Sequence, residues 1–96
     1  MRPSERLNAH REQVRAIVAA HRAANPRVFG SVARGEDTDA SDLDILIESN
    51  GKLSLFDIGG IQYGISELLG IHVDILTANA LPEKIKNRVL SEAVPI

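Results

Sequence analysis

The pattern of apolar and polar positions is clearest in residues 42–48, where it alternates with the period of a β-strand. One face of this strand would be wholly apolar, and the opposite face would carry the carboxylates of Asp42 and Asp44. The apolar face consists of Leu43, Ile45 and Ile47. A second strand is predicted over residues 71–77, and a short third one over residues 27–29.

Apolar residues at helical spacing predict three amphipathic helices, over residues 4–23, 54–69 and 82–93. The middle helix opens on a capping box formed by Ser54 and Asp57. It also contains three glycines, which weaken a helix, so this helix either packs very closely against a neighbour or is partly irregular. These are Gly59, Gly60 and Gly64. The order of elements predicts an α/β (α+β) fold with a small mixed central sheet flanked by helices.

Length and composition narrow the class of protein. Ninety-six residues suit a single domain spanning residues 1–96. The absence of cysteine excludes disulfides and thiolate metal sites. A net charge of −2 and only three aromatic residues argue against direct binding of nucleic acid. No apolar run is long enough to cross a membrane and no signal peptide is apparent, so we expect a cytoplasmic protein.

The candidate chemistry begins with the two carboxylates of the first strand. Asp42 and Asp44 lie two residues apart and leave the same face, so they repel each other unless one takes a proton or cations neutralise both. Asp74 is placed in the same way on the second strand. If the two strands are neighbours, the three carboxylates form a cluster suited to Mg²⁺ or Mn²⁺.

A glycine and a serine at the end of the short strand complete the candidate site. Gly30 would let the backbone approach a phosphate group closely. The hydroxyl of Ser31 and the free N–H groups of the following turn could then donate to phosphate oxygens. A Gly-Ser pair alone is a weak signal. Its combination with two aspartates, the first of them after a further ten residues, is much more specific.

Other interpretations of these residues are possible. The paired aspartates could belong to a solvated strand face. A calcium loop starting at Asp37 is rejected, because its sixth position is Asp42 where a glycine is required. We expect Arg34 to tie its loop to a nearby carboxylate. We expect His72, which shares a face with Asp74, to be a residue of the surface or the core edge and not a ligand.

Residues 30–44 resemble the signature of the DNA polymerase beta nucleotidyltransferase superfamily, and its minimal, antitoxin-type branch most closely. The resemblance extends through residues 72–77 and 89–95, and so covers nearly the whole chain. It implies transfer of a nucleotidyl group from a triphosphate, ATP above all, to a hydroxyl with the help of two metal ions, Mg²⁺ or Mn²⁺. The same resemblance implies that Asp42, Asp44 and Asp74 are the catalytic metal ligands, and that Gly30 and Ser31 hold the terminal phosphates.

Members of this branch commonly pair with a HEPN-domain ribonuclease toxin in a hetero-oligomer and are similar to enzymes that transfer AMP to a tyrosine of that toxin. The resemblance therefore implies a protein adenylyltransferase that acts as an antitoxin. Two alternatives stay open: a non-catalytic antitoxin that neutralises its toxin by binding, and a transferase acting on a small molecule such as an aminoglycoside.

Overall fold

The computed structural model describes all 96 residues and contains four helices and a four-stranded sheet. The helices are α1 (Pro3–Ala9), α2 (Arg11–Ala20), α3 (Leu55–Leu69) and α4 (Glu83–Glu92), and a 3₁₀ turn spans Ala78–Ala80. The strands are β1 (Ala23–Phe29), β2 (Leu43–Ser49), β3 (Val73–Thr77) and β4 (Val94–Pro95). The sheet order is β3-β2-β1-β4, with β2 and β3 parallel and β1 antiparallel to both β2 and β4. This architecture confirms the predicted α+β fold with a mixed sheet.

The two faces of the sheet carry different layers. Helices α1, α2 and α3 cover one face and bury the apolar side of β2 completely. Helix α4 covers part of the other face with a smaller apolar cluster. That cluster contains Phe29, Leu46, Leu81 and Val89. Asp42 and Asp44 precede Leu46 on this second face, so the candidate site lies beside the part of the sheet that α4 covers.

The N-terminal region differs from the single helix predicted over residues 4–23. Two helices form instead, and the chain breaks between them at His10, where φ is −136° and ψ is 28°. The ring nitrogen Nδ1 of His10 lies 3.1 Å from the carbonyl oxygen of Arg6. The ring therefore pairs with the carbonyl that the N–H of His10 would use in a continuous helix, and this N–H donates to the carbonyl of Leu7 instead. The spacing of apolar residues carries no sign of this competition, so the sequence predicted one helix.

Strand β1 is longer than predicted because it begins at Ala23 and runs through Pro26. Its register with β2 shifts between Ala24 and Arg27, and Asn25 between them adopts a φ of +50°. This irregularity is a bulge, the setting in which a proline is tolerated within a sheet. The prediction that the helical region runs to residue 23 was therefore wrong, since it already ends at Ala20.

The predicted α3 is correct in its boundaries and its capping. The hydroxyl of Ser54 accepts from the N–H of Asp57, whose carboxylate accepts in return from the N–H of Ser54. Two of the three glycines are explained by close packing on α2 and on His21, the residue that directly follows it. A Cβ at Gly60 would lie 2.5 Å from the ring of His21, and one at Gly64 would lie 3.2 Å from Ile17. Helix α3 is thus a regular helix that packs closely against its neighbours, and it is not partly irregular.

Candidate functional site

The strands bring two of the predicted carboxylates directly together. Asp44 on β2 and Asp74 on β3 are register partners in the parallel pair. On its other side Asp44 is paired with Phe29 of β1. Asp44 therefore has a buried aromatic residue on one flank and a second carboxylate on the other. Strands β2 and β3 are neighbours, which is the condition on which the predicted three-carboxylate cluster depended.

Asp42 joins this pair from the residue that precedes β2. One ligand atom each from Asp42, His72 and Asp74 lies within 4.8 Å of the others. The Nε2 atom of His72 is 3.0 Å from Oδ1 of Asp74. We expected His72 to be a surface residue on the face of Asp74; it is exposed, and it also contacts that carboxylate. No sequence motif signalled this contact.

The proximity of the carboxylates changes their protonation. The pKa of Asp44 is raised to about 6 from its ordinary value of 3.8. Burial is the main cause, and repulsion by Asp74 and then Asp42 adds to it. A hydrogen bond that only protonated Asp44 can donate to Asp74 acts in the same direction. Ionisation of Asp44 at neutral pH is therefore opposed by burial and by the neighbouring carboxylates. A divalent cation bound to the cluster would offset both effects.

The donor set fits a hard cation. Three carboxylates converge on one face of the sheet, and oxygen ligands of this kind suit Mg²⁺ and Mn²⁺. His72 offers a nitrogen that Mn²⁺ accepts more readily than Mg²⁺ does. Asp42 and His72 are exposed and Asp74 is half-buried, so the cluster is accessible from solvent.

Gly30 approaches this cluster from the end of β1. It has a φ of +73°, and a Cβ built on it would lie 2.6 Å from Oδ2 of Asp44. The backbone can therefore pass the carboxylate only because this residue has no side chain. The N–H of Gly30 donates to Oε1 of Glu92 over 3.0 Å, so a protein carboxylate already satisfies it.

The turn after Gly30 leaves several donors free. The backbone N–H groups of Ser31, Val32 and Ala33 make no hydrogen bond within the protein, whereas those of Arg34, Gly35 and Glu36 close the turn on itself. Three successive free N–H groups with an adjacent hydroxyl form a set of donors suited to an anion. The sequence prediction assigned Gly30 and Ser31 alike to phosphate. The structure places Gly30 against Asp44 and leaves the free donors from Ser31 onward, and the assignment of both residues to phosphate stays a prediction.

The same loop is tied to α4 by Arg34. Its Nη1 atom donates to both carboxylate oxygens of Glu92, over 3.2 and 3.3 Å, and its Nε donates to Glu36 over 2.9 Å. The expectation that Arg34 ties the loop to a nearby carboxylate is confirmed. Sequence reasoning did not single out Glu92, since a glutamate near the end of a helix is ordinary and its partners are about sixty residues away.

The largest cavity of the molecule is elsewhere. It has a volume of about 610 Å³ and opens at the other end of β2 and β3. Residues of the β2–α3 connection line it, together with Thr77, Ala78 and Asn79. None of the predicted site residues lines this cavity or the smaller one of about 150 Å³ beside α1. The acidic cluster is identified by its chemistry and not by a deep pocket.

Comparison with known proteins places the chain in a family. Residues 8–96 match the nucleotidyltransferase domain family. The chain belongs to this family, and it is a nucleotidyltransferase enzyme with the fold described above. It is 37% identical over 90 residues to a candidate protein adenylyltransferase of Methanocaldococcus jannaschii, a match that covers 94% of this chain and 97% of that one. It is 33% identical over 88 residues to the protein adenylyltransferase MntA of Thermococcus cleftensis, covering 92% and 86% of the two chains.

Solved structures agree with this assignment. A candidate minimal nucleotidyltransferase superposes with a TM-score of 0.86 and 41% sequence identity, over 97% of this chain and 95% of that one. A toxin–antitoxin complex crystallised with AMP-PNP gives a TM-score of 0.71 at 14% identity, over 97% of this chain and 71% of that one. The second likeness concerns the fold alone. Among the helices of the present chain, none has the length and apolar character required to span a bilayer.

Proposed function

We propose that this nucleotidyltransferase is a metal-dependent protein adenylyltransferase, which transfers AMP from ATP to a hydroxyl of a partner toxin and so acts as its antitoxin. The observation that carries the proposal is the register pairing of Asp44 with Asp74, with Gly30 packed against Asp44 and free N–H donors in the turn beyond it. A carboxylate cluster next to a free-donor turn has the parts needed to hold a metal–triphosphate complex.

The three carboxylates would hold two Mg²⁺ ions, with Mn²⁺ as the alternative. When bound, the metal ions would supply charge neutralisation for the triphosphate and lower the pKa of the attacking hydroxyl. Asp44 would lose its proton on metal binding, because the cation removes the repulsion that raises its pKa. Asp74 lies beside His72 and would face the acceptor, where it can take the proton of that hydroxyl.

The turn that starts at Ser31 would hold the terminal phosphates. Its hydroxyl and the unpaired N–H groups of the next residues are the available donors, and Gly30 contributes by leaving room for Asp44. In the transfer step the acceptor oxygen bonds to the α-phosphorus while the bond from that phosphorus to the β-phosphate oxygen breaks. Pyrophosphate leaves with the electron pair of that bond, and the hydroxyl proton passes to a carboxylate or to water.

A protein acceptor suits the open geometry of the site. The carboxylates are exposed or half-buried, so an acceptor must be oriented by its own binding surface. The relative named protein adenylyltransferase, together with the fold shared with a toxin–antitoxin complex, supports a toxin as that acceptor. We further propose that the toxin is of the HEPN ribonuclease type, that the accepting group is a tyrosine hydroxyl, and that the pair works in the cytoplasm, where ATP is abundant.

The test is transfer of label from α-labelled ATP to the protein encoded by the neighbouring gene, in the presence of Mg²⁺. The wild-type chain should label that protein and lose the ability when EDTA is added. Asp42→Asn and Asp44→Asn should each abolish labelling while the variants stay folded. Asp39→Asn is the matched control, since its exposed side chain pairs only with the N-terminal amine, and it should label normally.

Two outcomes would replace the proposal. If the doubly substituted Asp42→Asn, Asp44→Asn chain still neutralises the toxin in cells, the protein acts by binding and not by transfer. If an aminoglycoside or similar small molecule is labelled and the toxin is not, the reaction class stands and the protein acceptor is wrong.

A further inference from the structure

Glu92 is the only side chain that bonds to both ends of the Gly30–Arg34 turn. Its Oε1 atom accepts from the N–H of Gly30 over 3.0 Å. Both of its carboxylate oxygens accept from Nη1 of Arg34, over 3.2 and 3.3 Å. The side chain is only 20% exposed, compared with 46% for Arg34, so this contact is sheltered on the Glu92 side.

Glu92 is itself held rigidly. It lies one turn beyond Val89, which is buried in the same apolar cluster as Phe29, the residue directly before Gly30. The packing of α4 on the sheet therefore fixes the distance between Glu92 and the start of the turn. The pKa of Glu92 is lowered, first by the N–H of Gly30 and then by Arg34, so the carboxylate is charged and the bonds are charge-assisted.

The other side of Gly30 faces the acidic cluster. A Cβ on Gly30 would lie 2.6 Å from Oδ2 of Asp44, so any displacement of this backbone changes the space next to that carboxylate. Glu92 therefore contacts the Gly30–Arg34 turn without contacting the acidic cluster, and Gly30 of that turn packs against Asp44. Glu92 uses the N–H of Gly30, and the next three N–H groups of the turn are its free donors.

We propose that Glu92 is a positioning residue for nucleotide binding: it fixes the Gly30–Arg34 turn so that the free N–H groups after Gly30 meet the β- and γ-phosphates of the bound triphosphate. The proposal rests on the function proposed above, because it requires that a triphosphate occupies this turn. It assigns no contact between Glu92 and the nucleotide. In the alternative arrangement, the carboxylate of Glu92 would itself occupy the position of a phosphate group, and ATP would have to displace it.

Binding of the non-transferable analogue AMPCPP with Mg²⁺ to the 96-residue chain, measured by calorimetry, separates these arrangements. Glu92→Ala should weaken AMPCPP binding about ten-fold, equivalent to about 1.4 kcal/mol. Glu92→Gln keeps an oxygen acceptor for Gly30 and loses the charge facing Arg34, so its effect should be smaller. The matched control is Glu83→Gln, at the far end of α4 and exposed, which should bind AMPCPP like the wild type.

A second readout distinguishes positioning from general loss of structure. The affinity for Mn²⁺ alone is measured from the paramagnetic broadening of amide signals. It should change by less than about two-fold in Glu92→Ala, since the substitution does not move the strands that carry the carboxylates. Equal AMPCPP affinity in Glu92→Ala and wild type, tighter AMPCPP binding in either Glu92 variant, or parallel losses of AMPCPP and Mn²⁺ binding would each overturn the proposal. Failure of the wild-type chain to bind AMPCPP would instead contradict the proposed function.

Discussion

Asp44 and Asp74 face each other across the parallel strands β2 and β3, as direct register partners. Neither strand could move by one residue without turning its apolar side chains out of the core, so this pairing is enforced by the burial of the opposite face. The fold holds two repelling carboxylates together in a partly buried position, so burial first and the repulsion by Asp74 second raise the pKa of Asp44 to about 6. Such an arrangement is unfavourable for the metal-free protein, and a divalent cation bound there would relieve the repulsion.

The first prediction concerns the stability of the metal-free chain. The pKa of Asp44 is 3.8 in its ordinary state and about 6 in the folded protein, so between these values the folded chain keeps a proton that the unfolded chain has released. The contribution of Asp44 to stability is therefore fully present below pH 3.8 and is lost as the pH rises through about 6. In EDTA, Asp44→Asn should unfold at a higher temperature than wild type at pH 8.

This difference between Asp44→Asn and wild type should shrink as the pH falls through 6 and be nearly absent at pH 4. Thermal unfolding followed by circular dichroism at several pH values measures it. The control Asp39→Asn alters an exposed carboxylate and should show no such dependence. A difference that is constant with pH, or that grows towards acid, would show that Asp44 is not protonated more readily in the folded state.

The second prediction is the effect of Mg²⁺ on stability at pH 8. A ligand that binds only the folded state stabilises it, by about 1.4 kcal/mol at ten times its dissociation constant. In a chain of this size that amounts to an increase of several degrees in the unfolding temperature. Wild type and Asp39→Asn should show the increase, and Asp44→Asn and Asp74→Asn should not. Equal increases in all four proteins would place the bound ion elsewhere.

The third prediction uses two glycines that have nearly the same backbone conformation. Gly30 and Gly35 have φ values of +73° and +71°, but only Gly30 would bring a Cβ against Asp44. Gly35→Ala should lose about 1–2 kcal/mol of stability from the left-handed conformation alone. Gly30→Ala should lose more, because the Cβ must also displace a carboxylate that lies 2.6 Å away.

The functional difference between these two variants should be larger than the difference in stability. Gly30→Ala displaces Asp44 and should lose AMP transfer, while Gly35→Ala, measured well below its unfolding temperature, should retain it. Urea denaturation and label transfer on the same samples provide both numbers. Similar transfer by the two variants would show that the close approach of Gly30 to Asp44 has no role in the reaction.

The fourth prediction concerns the glycines of α3. Gly59 has open space where a Cβ would lie, whereas a Cβ on Gly60 would meet the ring of His21 at 2.5 Å. Gly59→Ala should stabilise the protein by roughly 0.5–1 kcal/mol through higher helix propensity. Gly60→Ala should be less stable than Gly59→Ala because the ring of His21 must move. Urea denaturation decides this, and equal stabilisation by both would show that α2 and α3 are not tightly packed at Gly60.

Much of this fold follows from local sequence. The alternation in β2 identifies both its buried face and the face that carries Asp42 and Asp44, because a strand has a fixed side-chain period. The capping pair Ser54 and Asp57 marks the start of α3, because those side chains satisfy backbone groups only three residues apart. These features depend on neighbours along the chain, so sequence reasoning can find them.

Other features depend on contacts between distant parts of the chain and left no local signal. The helix breaks at His10 although the helical spacing of apolar residues continues past it. Strand β4 has only two residues, which is too short for a recognisable sequence pattern. Glu92 reaches Gly30 only because α4 packs on Phe29. The approach of the acids and the glycine to one another was therefore predictable from the sequence, but the contact of Glu92 with the Gly30–Arg34 turn was not.

The most direct test of the account is the position of a metal ion in crystals of the chain grown with AMPCPP and Mn²⁺. Anomalous scattering from manganese should give peaks within coordination distance, about 2.1 Å, of carboxylate oxygens of Asp42, Asp44 and Asp74. The triphosphate should lie between these peaks and the turn after Gly30. Manganese and triphosphate bound away from these carboxylates, for example in the cavity lined by Leu53 and Thr77, would contradict the account.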